Sequence, residues 1–198
     1  MRMDDGDLSL SLRAAQFQAL IDACVFTDSK GQSLDIEKGI QHAVQYLRSI
    51  REKGNHVYLV GNGGSAGIAS HAATDFMNVA KLRAHTLYDS SLLTCMANDY
   101  GYENAFARML TQTVTAGDAL IAISSSGKSL NIRNAAEAVK KLGGVVITLS
   151  GFDQKNPLRS QGDLNIWLDS SDYGFVEIGH QFVLHNIADR FGREGKSS

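Results

Sequence analysis

The stretch Val57-Tyr58-Leu59-Val60-Gly61-Asn62-Gly63-Gly64-Ser65-Ala66-Gly67 decides how the rest of the chain is read. Apolar residues run unbroken into a glycine cluster, as a strand buried on both faces does at its end, and from Ser65 the pattern turns helical. Glycines at such a turn let the backbone approach a ligand, and the first N–H groups of the new helix are free for an anion. The same order recurs at Ile121-Ala122-Ile123-Ser124-Ser125-Ser126-Gly127-Lys128-Ser129, whose hydroxyls and amides form a phosphate cradle. Strand, small-residue turn and helix, repeated, indicate βαβ units around a parallel sheet, and such sheets place ligands outside the carboxyl ends of their strands.

Working outward, strands are expected at 56–60, 86–88, 119–124, 145–149 and 164–168, with helices at 65–79, 103–114, 129–142 and 175–191. Ahead of them, Leu12, Ala15, Leu20 and Cys24, with Phe17 and Ile21 four apart, predict a helix over 8–26. Ile36, Ile40, Ala43, Val44, Leu47 and Ile50 share one face of a second helix, with Ser33 placed to cap its start and Gly54 its end. The expectation is one domain over 1–198, an α/β three-layer sandwich with a five-stranded parallel sheet, of which 1–54 is a helical N-terminal extension.

The chain's 198 residues, 43% of them hydrophobic, suffice for one core. Nineteen basic against 21 acidic side chains leave a net charge of -2, which argues against a nucleic-acid partner. Cys24 and Cys95 are too few for a disulfide framework and lack metal-finger spacing, so a reducing cytoplasm is expected. The acidic start, with Asp4, Asp5 and Asp7, is unlike a secretory signal, and no apolar run approaches the ~20 residues of a membrane span. The two N-terminal helices carry more apolar surface than the rest needs for cover, which predicts a homo-oligomer.

Two nucleotide readings fail on spacing. Gly61, Gly63 and Ala66 satisfy the dinucleotide fingerprint, but the acidic residue wanted about 20 positions on is absent, Asp89 lying 28 after Gly61. Gly127-Lys128-Ser129 ends like a P-loop, but Ala122 stands where the motif requires glycine. Acid–base candidates lie on two helices. His71 and Asp75, four apart, share a face of the helix that leaves the first turn; Glu177, Gln181 and His185 recur every four residues near the C-terminus. His180, about 140° round from His185, reads as a packing or surface residue, and His42, His56 and His85 show no partner pattern.

Taken together, these residues resemble the sugar isomerase (SIS) domain family and, within it, the sedoheptulose 7-phosphate isomerases, also called phosphoheptose isomerases. The resemblance spans about 33–192: residues 61–66 with His71 look like the family's first loop and helix, Asn98-Asp99-Tyr100-Gly101-Tyr102 like its Asn-Asp-aromatic-Gly segment, Ser124 to Ser129 like its phosphate loop, and Val176 to His185 like its last helix. It implies a phosphosugar isomerase working through an enediol, supplying a heptose phosphate for surface polysaccharide such as lipopolysaccharide. Ser124, Ser125, Ser126 and Ser129 would hold the phosphate, Asn62, Gly63, Gly64, Ser65, Asp99 and Glu177 would line the substrate site, and Asp75 and His185 would be the catalytic pair. His71, Asp75, Glu177 and His185 would correspond to a zinc-binding cluster, and the assembly would be a homotetramer with sites shared between subunits. The family usually has glutamate at Asp75, glutamine at Glu177, aspartate at Gly174 and arginine at Val79, which keeps a different sugar phosphate open as substrate. Some SIS relatives are non-catalytic regulators that bind the replication initiator DnaA; they lack the terminal histidine that His185 supplies here.

Overall fold

The computed structural model describes residues 8–194, so the acidic run at 1–7 lies outside the described residues. Seven strands, β1 (Val25–Asp28), β2 (Ser33–Leu34), β3 (His56–Val60), β4 (Arg83–Thr86), β5 (Ala119–Ser124), β6 (Val145–Ser150) and β7 (Leu164–Trp167), form one sheet in the order β2-β1-β7-β6-β5-β3-β4. Five of them, β7-β6-β5-β3-β4, are parallel, as expected from the sequence. The other two extend the sheet: β1 runs antiparallel to β7 and pairs with β2 in a hairpin.

Helices α1 (Leu10–Asp22), α2 (Ile36–Glu52), α3 (Gly64–Asn78), α4 (Ser90–Tyr100), α5 (Tyr102–Thr113), α6 (Leu130–Lys141) and α7 (Tyr173–Glu194) cover both faces. Every residue of β5 is buried. Its Ala119, Ile121 and Ile123 pack with α2, α3 and α7, while Leu120 and Ala122 pack with α5 and α6. Two-sided burial explains why the central strands read as unbroken apolar runs.

Three local expectations are corrected. Residues 25–28 are strand: Phe26 is fully buried, pairs with Ile166 and packs on Gly39, where a Cβ would collide with its ring. The N-terminal segment is therefore a helix, a hairpin that completes the sheet and a second helix. Ser33 belongs to that hairpin, and Asp35 caps α2 instead, its carboxylate accepting from the N–H groups of Glu37 (3.0 Å) and Lys38 (3.4 Å). Finally, the strand expected at 86–88 occupies Arg83–Thr86, and it is followed by α4, whose inward side is limited to partly buried Leu93 and Met96 and so leaves only a weak apolar stripe to read. Gly54 ends α2 as expected, with φ of 70°. No helix among the described residues is long and apolar enough to cross a membrane.

Candidate active site

The two small-residue turns meet at the carboxyl ends of β3 and β5. Gly61 lies so close to the first turn of α3 that a Cβ there would stand 2.6 Å from the Ser65 backbone. Its N–H donates to the Tyr88 hydroxyl (2.7 Å), which in turn donates to the Gly61 carbonyl (3.1 Å). Burial pushes the Tyr88 hydroxyl well above the usual phenol range, so it remains the donor this pairing requires. Asn62 and Asn131, the latter buried at the start of α6, exchange two amide hydrogen bonds of 2.9 Å, and the Tyr102 hydroxyl donates to Asn62 Oδ1 at 2.9 Å. The first turn is thereby tied directly to the helix that leaves the second.

The second turn is held from behind. Gly127, with φ of 62°, packs on buried Asn156 and accepts a hydrogen bond from Leu158 N–H (3.2 Å), while Gly151 N–H donates to the Ser125 carbonyl (2.8 Å). Ser124 and Ser129 hydroxyls meet at 3.1 Å, and Ser126 Oγ accepts from Lys128 N–H at 3.2 Å. The Ser125 hydroxyl is buried without a partner. Together the turns enclose a cavity of about 310 Å³, lined by Asn62, Gly63, Gly64, Ser65, the four serines, Ile123, Tyr173 and Glu177. None of these lining residues is cationic, so an anion would be held by amides, hydroxyls and helix N-termini.

Farther along the packed pair α3 and α7, His71, Asp75 and His185 converge, with ligand atoms all within 4.8 Å of one another. Asp75 Oδ2 stands 3.0 Å from His185 Nδ1 and 3.6 Å from His71 Nε2. Neither contact is aligned as a hydrogen bond, and this buried oxygen has no donor. The two imidazoles cross edge to face with centroids 4.9 Å apart.

Glu177 does not join this cluster. Eight residues separate it from His185, about 12 Å along a helix, and its carboxylate lies against Gly64 at the start of α3. It lines the cavity, and of the four expected metal ligands the structure groups three, His71, Asp75 and His185. Asp99 is not brought to the cavity within one chain: it sits exposed near the end of α4, accepting from Asn98 (3.0 Å) and Cys95 (3.6 Å). His180 is a packing residue, fully buried with Nε2 3.1 Å from the Ser150 carbonyl, and burial lowers its pKa to about 4. His56 and His85, on neighbouring strands, pair at 2.8 Å away from the site, a contact the sequence spacing did not reveal.

Sequence reasoning missed Tyr88, Tyr102, Asn131, Asn156 and Tyr173. Asn131, two residues past Ser129 at the mouth of the second turn, and Tyr102, the last residue of the Asn98–Tyr102 segment, carried a signal; the others reach the site from distant segments.

A doubly covered, mainly parallel sheet, two small-residue turns at its carboxyl edge and an imidazole–carboxylate cluster beside them define an α/β protein with an anion cradle next to acid–base groups. The chain belongs to the SIS domain family, which matches residues 30–151, and within it to the phosphoheptose isomerases. It is 35% identical over 153 residues to the phosphoheptose isomerase of Pelobacter propionicus, covering 74% of this chain and 80% of that protein. To that of Citrifermentans bemidjiense it is 32% identical over 166 residues, covering 81% and 86% respectively. Among solved structures it is similar to a phosphoheptose isomerase from Francisella tularensis, with TM-score 0.82, 25% identity and coverage of 98% of this chain and 100% of that one. For the enzyme from Neisseria gonorrhoeae the TM-score is 0.73 and the identity 26%, with coverage of 92% and 98%.

Proposed function

We propose that this protein isomerises a ketose phosphate to an aldose phosphate, converting sedoheptulose 7-phosphate to D-glycero-D-manno-heptose 7-phosphate. The observation that carries the reading is the placement of a serine cradle, with an unpartnered buried Ser125 hydroxyl, at one end of the α3–α7 pair and a carboxylate–imidazole cluster farther along it. With the phosphate held by residues 124–129, Asp75 takes a proton from C1 and His185 delivers one to the C2 carbonyl oxygen, giving the enediol. Return of a proton to C2 and loss of the O1 proton give the aldehyde, with no net gain or loss of protons or electrons. Asn62, fixed by Asn131 and Tyr102, orients the substrate. Incubation with sedoheptulose 7-phosphate, with products identified beside those from other ketose phosphates, tests this; no aldose product from the seven-carbon substrate refutes it.

One observation favours a second substrate. Asp75 is one methylene shorter than the glutamate usual at this place, a retreat of about 1 Å, and misplacement of that size costs on the order of 10²-fold in rate. A different sugar phosphate, better matched to the shorter side chain and to the carboxylate of Glu177, would turn over faster in the same assay. A purely regulatory role is disfavoured by His185 standing 3.0 Å from a buried carboxylate oxygen.

The cluster also suits zinc. Ligand atoms about 2.1 Å from a tetrahedral ion stand roughly 3.4 Å apart. Oδ2 of Asp75 lies 3.0 and 3.6 Å from its two imidazole nitrogens, unpartnered as an oxygen facing a cation would be. His71, Asp75 and His185 would hold the ion with one position left open, as catalytic zinc sites do. Bound there, zinc would supply Lewis acidity toward a substrate oxygen. Elemental analysis of untagged protein should find zinc in the parent and a loss in His185→Gln; unchanged metal content in the variant removes this site.

The assembly is proposed to be a homotetramer. Leu10 (86%), Ile178 (59%) and Phe182 (49%) are exposed apolar side chains on α1 and α7, and association would cover them. Asp99 would then reach the site of a neighbouring subunit. Light scattering at micromolar concentration should give a multiple of 21.4 kDa, and the monomer mass would contradict association. A cytoplasmic setting is supported by the unpaired thiols of Cys24 and Cys95.

A further inference from the structure

Tyr173 is the only aromatic side chain among the described residues lining the serine cavity. It opens α7 one turn before Glu177 and is 60% exposed, yet its ring is not left loose. The Phe152 ring meets it edge to face, with centroids 4.8 Å apart and planes at 74°. Phe152 itself has φ of 57°, the left-handed region that a bulky side chain enters only under constraint. The constraint is visible on both sides. Gly151, directly before it, is bonded to the Ser125 carbonyl of the phosphate cradle, and Phe152 N–H donates to the Ser170 carbonyl (2.8 Å) in the segment that leads into α7. The strained residue therefore sits between the cradle and the start of α7, and its outcome is a ring supporting Tyr173 at the cavity wall.

We propose that Tyr173 is a substrate-contacting specificity residue, whose ring covers the carbon skeleton next to the phosphate, and that Phe152 is the positioning residue that holds it there. The proposal deepens the sugar-phosphate reading and rests on it. Serine hydroxyls and amides recognise a phosphate whatever it is attached to. An aromatic face adds affinity where C–H groups of a carbon skeleton lie against it, and the carboxylate of Glu177, one turn on, accepts hydrogen bonds from hydroxyls. The ligand class that uses all three is a phosphorylated polyhydroxy chain, which inorganic phosphate and short acyl phosphates are not.

Calorimetric titration of the full chain with inorganic phosphate and with sorbitol 6-phosphate tests this without requiring turnover, because an alditol phosphate has no carbonyl to isomerise. Tyr173→Ala should weaken sorbitol 6-phosphate about 3–10-fold and leave inorganic phosphate within twofold. Tyr173→Phe should keep both affinities. Phe152→Gly, which relieves the left-handed strain and removes the supporting ring, should weaken the alditol phosphate alone, by less than Tyr173→Ala. Equal loss for both ligands, or no loss, in a Tyr173→Ala protein with the parent's melting temperature overturns the assignment; unchanged affinities in Phe152→Gly overturn the positioning role. Failure of the parent to convert sedoheptulose 7-phosphate would count against the isomerase reading, while the ratio of the two affinities still decides Tyr173.

Discussion

The two faces of α7 carry the same residue type to opposite ends. His185 stands half-exposed, 3.0 Å from a buried carboxylate oxygen that has no hydrogen-bond donor, whereas His180, five residues earlier, is fully buried with one nitrogen on the Ser150 carbonyl. Solvent access separates them. An imidazole at a cleft is open to a substrate; one sealed in the core is held neutral by the cost of burying charge. Sequence identity at the level of "histidine on a helix" therefore says nothing about role until the face is known.

The sharpest way to break the contrast is to exchange each imidazole for an amide. His185→Gln should lower kcat by about 10²–10⁴-fold, the usual contribution of a positioned proton donor, with a melting temperature close to the parent's. Loss of stability without loss of kcat would invert the assignment. For the cradle at the other end of the site, Ser126→Ala with Ser129→Ala should raise KM more than it lowers kcat, because both hydroxyls would serve ground state and transition state alike. Two hydrogen bonds to a charged group, at about 1.5–3 kcal/mol each, set the scale at 10²-fold or more. A pure kcat effect would move the phosphate elsewhere.

His180 carries the third expectation, in which pH is the variable. Its ordinary value is 6.5 and burial lowers it to about 4 in the folded chain. Above 6.5 it is neutral in both states and contributes nothing to pH dependence. Between 6.5 and 4 the unfolded chain takes a proton that the folded chain refuses, so stability falls as pH falls, by at most roughly 3 kcal/mol. His180→Gln keeps an amide that can donate to the Ser150 carbonyl but cannot titrate. Denaturant melts at pH 4.5, 5.5 and 7 should show a flatter slope in the variant; parallel slopes would mean that His180 is reached by solvent.

What the sequence disclosed follows the same division between local and distant. The strands His56–Val60 and Ala119–Ser124 were legible because burial on both faces writes an unbroken apolar run, and the two turns because small residues announce close approach of backbone. Val25–Asp28 was not, since Leu20, Cys24 and the residues around them mimic helical spacing and only the partner β7, over a hundred residues away, makes Phe26 a strand residue. For the site, two four-residue spacings gave the helix faces that carry His71, Asp75 and His185, while their convergence was implied only by the family resemblance. The misplacement of Glu177 came from the same arithmetic: helical periodicity gives the face of a residue, but the end of the partner helix it meets depends on how α3 and α7 are aligned. Tyr173 and Asn156 gave no signal at all, because what brings them to the cavity and its turn is a neighbour supplied by another segment.

The smallest effect concerns the brace between α1 and the start of α7. Arg13 Nη2 lies 2.7 Å from Asp172 Oδ2, and the guanidinium carbon is 3.6 Å from the centre of the Phe175 ring. Asp172 also accepts from Phe175 N–H at 3.2 Å. The hydrogen bond from Arg13 holds the Asp172 carboxyl below the usual carboxylate range, so its contribution is present at neutral pH and is lost as pH falls through the folded value, below about 3.8. Both partners are about a third exposed, which keeps the pair near the 0.2–1 kcal/mol of solvated ion pairs, with a comparable amount from the cation over the ring. Arg13→Ala should therefore cost about 1 kcal/mol at pH 7, a melting shift of a few degrees. At pH 3 the variant and parent should differ by less than at pH 7, the cation–ring contact being the part that survives. If α1 steadies the first turn of α7, Arg13→Ala should also raise KM slightly at unchanged kcat, since Tyr173 and Glu177 both lie within that turn and the next. An unchanged KM would confine α1 to stability, and the N-terminal helix would then have no part in the site.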